Sequence, residues 1–460
     1  MTITYAEFLA AKAQHDGASG FEPVWLPEWL RPFQLVLVDW AVRMGRSALF
    51  ADCGLGKTPM QLVWADNVHR RTGRPVLVVT PLAVSFQTEA EAAKFGLDAA
   101  VSRDGSVPAG ITITNYERLE RFDTHRFGGV VCDESSAIKA FDGQRRAIVT
   151  EFLRTHRYRL LCTATAAPND YVELGTSSEA LGYLGYMDML TRFFTRSERT
   201  ASTTRGYLGK AVEWRFKGHA EDPFWRWVAS WARAIRRPSD LGFEDAGYTL
   251  PPLDHRVHVV APEGDDATPE GALFRTPASG LQEERAELRR TLVPRCERVA
   301  ELLADADRAV AWCHLNDEST TLSRLIPDAV EVTGSDSADA KEEALTAFTR
   351  GQVRTLVTKP SIAGWGLNWQ HCHRTTFFPS HSYEQYYQAV RRFLRFGQQH
   401  PVQVDIVTTP GGSNALTNLQ RKAAQADRMF DALVTHMRDA ETVRRRTDYP
   451  TPVEVPAWAS

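Results

Sequence analysis

The chain has 460 residues, of which 43% are hydrophobic and 24% charged, and 54 Lys and Arg residues face 57 Asp and Glu residues for a formal net charge of −3. This composition excludes a disordered chain and a disulfide-stapled mini-protein, and at about 100–200 residues per domain the length predicts two to four domains. No apolar run reaches the roughly 18 residues that span a bilayer and no secretory leader is recognisable, so we expect no membrane partner and a cytoplasmic location. The net charge by itself disfavours a nucleic-acid partner.

Short apolar runs alternate with helix-like stretches in two parts of the chain. Such runs are typical of parallel strands that helices cover on both faces. In chain order they lie at 47–51, 75–80, 111–114, 129–134 and 158–165, and then at 309–313, 329–334, 353–358, 374–378 and 402–409. The sequence therefore predicts an α/β protein with two tandem lobes.

The segment between the two sets, 176–250, breaks this pattern and is rich in aromatic and basic residues. Within it, the window 191–240 has eleven Lys and Arg residues against five acidic ones, although the whole chain is acidic. Phe224, Trp227 and Trp231 are spaced as the core face of a helix, so we expect a helical, basic and aromatic insertion. Basic residues interleaved with aromatic ones are typical of contact with a nucleic-acid backbone. The candidates for that contact are Arg192, Arg196 and Arg205.

These patterns together predict the domain organisation. The expected units are an N-terminal flank at 1–30, a first lobe at 31–175, the insertion at 176–250, a second lobe at 251–440 and a tail at 441–460. The six cysteines form no C-x-x-C pair, so a zinc ribbon is disfavoured and buried thiols in a reducing compartment are expected.

A phosphate-binding loop is predicted at ADCGLGKT, 51–58, because the segment follows an apolar strand and precedes a helix-like stretch. Gly54 and Gly56 would let backbone N–H groups face a pyrophosphate. Lys57 would reach the β- and γ-phosphates, and the Thr58 hydroxyl would ligate Mg²⁺. The loop departs from the usual pattern at its first position, where Ala51 replaces glycine.

Two further segments complete a candidate ATP site. Asp133 and Glu134 end an apolar strand, where Asp133 could hold Mg²⁺ and Glu134 could polarise the attacking water. Gln388, Arg392 and Arg395 are spaced by four and three residues, which would place them on one helix face, with Arg391 off that face. Two guanidinium groups there suit the charge that develops on a γ-phosphate during transfer.

Taken in order, these segments resemble the motifs of superfamily 2 helicases, and most nearly those of the Swi/Snf-related double-stranded DNA translocases. The match covers about 30–410, and compact chains of this type resemble helicase-like proteins of phages and prophages. The matching segments are RPFQ (31–34), GLGKT (54–58), TPLAVSFQ (80–87), TNYE (114–117), DESS (133–136), CTATAAPND (162–170), IRRPSD (235–240), TKPSIAGWGLNWQ (358–370) and QAVRRFLRFGQ (388–398). Ser136, Trp365 and the residues before 388 depart from the usual pattern, which leaves the subfamily open.

The resemblance implies two RecA-like lobes that bind ATP and Mg²⁺ between them. It makes Gln34 the adenine reader, adds Gly366 and Gln388 to the ATP-binding set, and gives Thr163 and Thr165 a coupling role. Lys57, Asp133, Glu134, Arg392 and Arg395 would be the catalytic set. The resemblance also implies nucleic-acid contacts at Thr80, Asn115 and Thr358.

The predicted function is an ATP-driven motor that translocates on DNA, with duplex or branched DNA favoured over RNA. Replication, recombination or nuclease proteins are expected partners, in a bacterial cell or a phage-infected host. Three alternatives stay open: an RNA helicase, a nucleic-acid-binding scaffold with a weak ATP site, and strand separation in place of translocation.

Overall fold

The computed structural model describes residues 19–81, 84–140, 143–167, 169–202, 208–261, 281–363 and 367–446. These residues form two α/β lobes, each built on a sheet of parallel strands, which confirms the predicted fold class. All ten predicted apolar runs are strands.

The sheet of the first lobe has seven strands in the order β3-β4-β2-β5-β6-β1-β9. Its strands are β1 (Arg46–Ala51), β2 (Val76–Thr80), β3 (Ala99–Val101), β4 (Ile111–Asn115), β5 (Gly129–Asp133), β6 (Tyr158–Thr163) and β9 (Ala232–Ile235). Its helices are α1 (Pro32–Met44), α2 (Lys57–Thr72), α3 (Ser85–Lys94), α4 (Ala137–Ala140), α5 (Gly143–Arg154), α6 (Leu174–Leu181), α7 (Tyr186–Phe193) and α8 (Glu221–Trp231). Separate apolar clusters cover the two faces of the sheet, which is why its strands are continuous apolar runs.

Three neighbouring strands of this sheet carry the candidate site. β5, β6 and β1 lie side by side, with Asp133 opposite Cys162 and Thr163 opposite Phe50. Because parallel strands end at one edge of a sheet, the loops that follow these strands converge there.

The sheet of the second lobe has six strands in the order β10-β15-β14-β11-β13-β12. Its strands are β10 (Leu253–Val259), β11 (Ala309–Trp312), β12 (Ala329–Val332), β13 (Thr355–Thr358), β14 (Arg374–Phe377) and β15 (Val402–Thr408). Its helices are α9 (Leu281–Arg290), α10 (Leu292–Leu303), α11 (Asn316–Leu325), α12 (Ala338–Thr349), α13 (Pro360–Ala363), α14 (Tyr383–Val390) and α15 (Ser413–Arg446). Apolar clusters again lie on both faces of the sheet.

The segment predicted as a helical insertion contains α6, α7 and α8 together with structure that the sequence did not predict. An antiparallel hairpin joins β7 (Phe194–Ser202) to β8 (Leu208–Phe216) and pairs with no other strand among the described residues. Phe224 and Trp231 of the predicted core face of α8 are fully buried, and Trp227 is partly buried against the same cluster. The helix ends at Trp231, because the next four residues pair with β1 and extend the sheet.

The long helix α15 starts in the second lobe and packs into the core of the first. Met429, Phe430, Leu433 and Met437 belong to the same buried cluster as the strands and α8 of the first lobe. Arg236 of the first lobe also pairs with Asp431. The two lobes are therefore joined by buried apolar surface as well as by the connecting chain.

Candidate ATP site

The predicted phosphate loop lies between β1 and α2, as expected from the sequence. Gly54 and Gly56 have φ of +88° and +77°, a backbone region that L side chains rarely adopt. A Cβ on Gly56 would lie 2.3 Å from Nε2 of Gln34. Gln34 is buried and donates from Nε2 to the carbonyl of Leu55 at 2.8 Å, so the predicted adenine reader braces the phosphate loop directly.

The Lys57 ammonium lies inside the loop. Its Nζ donates to the carbonyl of Ala51 at 2.9 Å and to that of Asp52 at 3.4 Å. Burial opposes the charged ammonium, but the nearby Cys53, Glu134, Asp133 and Asp52 together raise the Lys57 pKa above its ordinary value. The loop therefore presents a stable cation at the end of β1.

The Asp133 carboxylate faces the start of α2. Gln61 donates from Nε2 to Oδ1 of Asp133 at 2.7 Å, and Gln61 lies one turn after Thr58 on the helix. Burial, followed by the neighbouring Glu134, raises the Asp133 pKa to about 6. A carboxylate and a hydroxyl oxygen thus lie on facing elements, a donor set that suits a hard cation such as Mg²⁺. In the described part of the chain, no cluster of three or more His, Cys, Asp or Glu side chains is arranged to hold a metal ion.

Glu134 has a strained backbone and a buried side chain. Its φ is +47°, which is uncommon for a residue with a Cβ and is often found at functional positions. The Thr163 hydroxyl donates to Oε2 of Glu134 at 3.2 Å, and the Thr163 oxygen accepts from the backbone N–H of Thr165 at 3.0 Å. Both threonines predicted to couple the lobes thus lie next to the acidic pair.

Thr165 also connects the first lobe to the second. Its hydroxyl donates to Oε1 of Glu384 at 3.3 Å, and Nε2 of Gln388 lies 3.5 Å from the same hydroxyl oxygen. Both partners belong to α14 of the second lobe, so polar contacts run from Glu134 across the cleft through the two threonines.

The predicted arginines lie beyond the end of their helix. A single helix face for Gln388, Arg392 and Arg395 is wrong, because α14 ends at Val390 and the chain continues in turns. The Arg392 carbonyl accepts from the backbone N–H of Trp369. Hydrogen bonds between residues two or three apart replace most of the helical pattern beyond α14. The side chains still converge, since Arg392 donates from Nη2 to Oε1 of Gln388 at 2.9 Å. Both arginines also donate to the carbonyl of Leu367, at 3.1 and 3.3 Å.

The Arg395 guanidinium is only partly satisfied. Its Nε is buried without a hydrogen-bond partner. Burial and the nearby Arg392 lower the Arg395 pKa to about 10. Burial also lowers the Arg392 pKa, against the opposing effect of Cys53, Glu134 and Asp133. An anion at this point would give both guanidinium groups a negatively charged partner in addition to their neutral acceptors.

The second lobe closes directly on the phosphate loop. A Cβ on Gly54 would lie 2.8 Å from the backbone N of Phe396 and 3.6 Å from Cβ of Arg395. Gly54 is therefore required both by its own φ and by the approach of the other lobe. The cleft has the phosphate loop and the acidic pair on one wall and the two arginines on the other.

The predicted nucleic-acid contacts fall into two groups. Thr80, Asn115 and Thr358 are buried, and Oγ1 of Thr358 donates to the carbonyl of Val332. Arg192 and Arg196 are exposed, at the end of α7 and on β7. Nucleic-acid contact at all of these positions stays a prediction. Arg205 and Gly366 lie outside the described residues.

Sequence reasoning missed several polar residues of this cleft. Gln61 could have been found from its place one helical turn after the phosphate loop. Tyr387, Glu384 and Arg391 give no such indication, because their contacts depend on how the lobes meet. Asp52 lies within the predicted loop, where the sequence assigns it no role.

Solved structures with a similar architecture carry nucleic acid or nucleotide. Dbp5 of S. cerevisiae bound to RNA and ADP BeF3 matches with a TM-score of 0.54 at 11% identity, over 88% of this chain and 98% of that one. The Sulfolobus solfataricus SWI2/SNF2 ATPase core in complex with dsDNA matches at 0.40 and 17%, over 92% and 98%. The match to Dbp5 shows that the chain shares the two-lobe α/β fold of that structure.

A third solved structure and one curated protein match smaller portions. The helicase Lhr of Mycobacterium smegmatis, bound to ssDNA and AMP-PNP, has a TM-score of 0.48 at 17% identity, over 85% of this chain and 48% of that one. Protein p41 of Acyrthosiphon pisum secondary endosymbiont phage 1 is 28% identical in an alignment of 171 residues that covers 31% of this chain and 37% of the phage protein. No family model matches this chain. Within its described residues, no helix has the length and apolar character needed to cross a membrane.

Proposed function

We propose that the protein is an ATP-dependent motor of the Swi/Snf-related group that translocates on duplex or branched DNA. The observation that carries this proposal is the meeting of opposite charges at one cleft. Lys57, Asp133 and Glu134 lie on one wall, and the buried Arg392 and the half-buried Arg395 lie on the other.

ATP fits this cleft by charge and by shape. The phosphate loop offers backbone N–H groups, and its two left-handed glycines leave room for phosphate oxygens. On the opposite wall, the unpartnered Nε of Arg395 could donate to a phosphate oxygen. Gln34, which contacts the loop, would also recognise the base. Thr58 and Asp133 would hold Mg²⁺, which binds proteins through few oxygens plus substrate phosphates and offsets phosphate charge.

Hydrolysis follows from the residues that surround the γ-phosphate position. Glu134 would orient the attacking water and accept its proton, while the Thr163 hydroxyl holds the carboxylate in place. Arg392 and Arg395 would stabilise the charge that spreads over the transferred phosphoryl group. When the phosphate leaves, Arg392 and Arg395 would lose the anion that they contact. The contacts of Thr165 with Glu384 and Gln388 would transmit this change between α14 and the first lobe.

The nucleic-acid partner is proposed from charge and from motif resemblance. The hairpin from 194 to 216 carries five basic and two acidic residues in a chain of net charge −3. Its base is anchored by Phe194 and Phe216, whose rings stack at 4.6 Å between centroids. An anchored basic hairpin suits contact with a phosphate backbone. The preference for duplex DNA rests on the order of the motifs. A phage origin and replication, recombination or nuclease partners are proposed from the resemblance, and a cytoplasmic location from the scattered cysteines.

ATP turnover with and without duplex DNA tests the proposal, with Lys57→Ala as the key variant. We expect DNA-stimulated hydrolysis in the unmodified chain and at least about a hundredfold loss in Lys57→Ala, since the phosphate loop loses its cation. DNA binding should survive. Lys341→Ala is the matched control, because Lys341 lies in the second lobe and donates only to the nearby Gly334 carbonyl. Normal hydrolysis by Lys57→Ala would contradict the site, and binding without hydrolysis in the unmodified chain would favour the scaffold alternative.

A further inference from the structure

One residue of the phosphate loop is held by two side chains of the opposite lobe. Asp52 accepts from Nη2 of Arg391 at 2.6 Å through Oδ2, and its other oxygen accepts from the Tyr387 hydroxyl. The Arg391 guanidinium also lies over the Tyr387 ring, 5.1 Å from its centroid. Both partners come from the second lobe, at the end of α14 and just beyond it.

This ion pair is largely shielded from water. The exposed fractions of the two side chains are 17% for Arg391 and 7% for Asp52. Burial opposes the charged guanidinium, but Asp52 and Tyr387 more than compensate and raise the Arg391 pKa above its ordinary value. Removal of either partner would leave the other charge uncompensated between the lobes, so their contact depends on both residues.

Asp52 also determines the shape of the phosphate loop. Its Oδ1 accepts from the backbone N–H of Cys53 at 2.6 Å, and its carbonyl lies 3.4 Å from Nζ of Lys57. Its own N–H donates to the carbonyl of Ile235 at 2.9 Å, which ties the loop to β9. A displacement of this carboxylate would therefore alter the loop on which the phosphates would lie.

Arg391 immediately precedes Arg392 in the turn that also contains Arg395. The contact between Arg391 and Asp52 therefore helps to set the distance between the phosphate loop and these two arginines. We propose that Arg391, with Tyr387, is a positioning residue that docks the second lobe on Asp52 and so aligns Arg392 and Arg395 with the γ-phosphate. The catalytic part of this inference rests on the proposed ATPase function, whereas the docking part does not.

A double-mutant cycle on ATP hydrolysis tests the alignment. We expect Arg391→Met and Asp52→Asn each to lower kcat about tenfold with less than about a threefold change in KM for ATP, because alignment affects the transition state more than binding. The double variant should lose no more than about twentyfold, since both changes remove one interaction. Arg391→Lys, which keeps the charge, should recover part of the loss. Independent effects that multiply to about a hundredfold would overturn the proposal.

The arrangement of the lobes can be measured without any hydrolysis. Dyes on Arg71→Cys and Glu342→Cys, exposed positions on the first and second lobes, would report the lobe separation by energy transfer in the nucleotide-free chain. We expect transfer to fall in Arg391→Met and Asp52→Asn, and to stay unchanged in Arg324→Met, a matched control at an exposed arginine of the second lobe.

The two measurements separate the two proposals. Unchanged transfer in both Asp52 and Arg391 variants would overturn the docking role, whatever the rate of ATP turnover. A loss of transfer in a chain that hydrolyses no ATP would refute the proposed function and leave the docking contact standing. Thermal unfolding of Arg391→Lys and of the neutral Asp52→Asn/Arg391→Met pair would show that the variants remain folded.

Discussion

The cleft between the two lobes and the β7–β8 hairpin both concentrate positive charge, but their basic side chains differ in exposure. In the cleft, Arg392 is buried and Arg391 is largely shielded from water, and their guanidinium groups are hydrogen-bonded to defined partners. At the hairpin, Arg196 on β7 is exposed to solvent. A buried cation responds to one partner and depends on geometry, whereas an exposed cation adds to a field that salt screens. We therefore expect large, specific effects in the cleft and small, salt-dependent effects at the hairpin.

Arg392→Ala should give the largest effect. Removal of an arginine that stabilises phosphoryl transfer costs about 10³–10⁵ in rate where such residues act. The change also leaves the Gln388 carboxamide without its guanidinium partner. Steady-state ATP hydrolysis in the presence of duplex DNA measures the loss, with Arg324→Ala as the exposed control. A rate within tenfold of the unmodified chain would show that the buried cation has only a structural role.

Glu134→Gln should follow. General-base catalysis contributes about 10²–10⁴ in rate, and glutamine keeps the size of the side chain while it removes the acceptor of the proton. The KM for ATP and the affinity for DNA should change little, because the phosphate loop and the hairpin are intact. Single-turnover hydrolysis, compared with ATP binding in the same variant, measures the separation. Equal losses in binding and in turnover would contradict the role of Glu134 as base.

Leu433→Ala tests the packing of α15 against the core of the first lobe. Leu433 is fully buried in the first lobe, although its helix α15 starts in the second. Truncation of a buried leucine costs about 2–5 kcal/mol of unfolding free energy, and urea unfolding would measure it. The exposed Thr435→Ala on the same helix should cost within about 0.5 kcal/mol. Equal free energies of unfolding for the two variants would show that the packing of α15 does not stabilise the contact between the lobes.

Arg192→Gln and Arg196→Gln should give the smallest effect. Each change should weaken DNA binding a few-fold at low salt and reduce the slope of log affinity against log salt by about 0.9 per lost contact. ATP hydrolysis without DNA should be unchanged. Arg226→Gln is the control, since Arg226 is an exposed arginine of the same region that pairs with Asp222. If Arg192→Gln and Arg196→Gln had the same salt slope as the control variant Arg226→Gln, these two arginines would not be part of the DNA-binding surface.

The contrast between buried and exposed segments also explains which strands could be predicted from the sequence. The ten apolar strands were recognisable because burial on both faces leaves continuous apolar runs. β10 was missed because most of its residues are exposed, and β9 because Ala232–Ile235 continues the helical spacing of α8. The hairpin has no apolar run to mark it.

Within the cleft, the sequence located the residues that belong to local motifs and missed those defined by contact between lobes. The phosphate loop and the acidic pair each follow a strand and could be placed from local order alone. On a continuous helix Arg391 points away from the face predicted for Arg392. Arg391 keeps the helical bond to the Tyr387 carbonyl at 2.9 Å, so both side chains lie on the face that meets Asp52, and only the approach of the first lobe creates this contact.

The most direct test of the proposed motor is ATP turnover compared across duplex DNA, single-stranded DNA, branched DNA and RNA at one salt concentration. The proposed function predicts stimulation by duplex or branched DNA, with RNA giving little. Stimulation by RNA alone would contradict it.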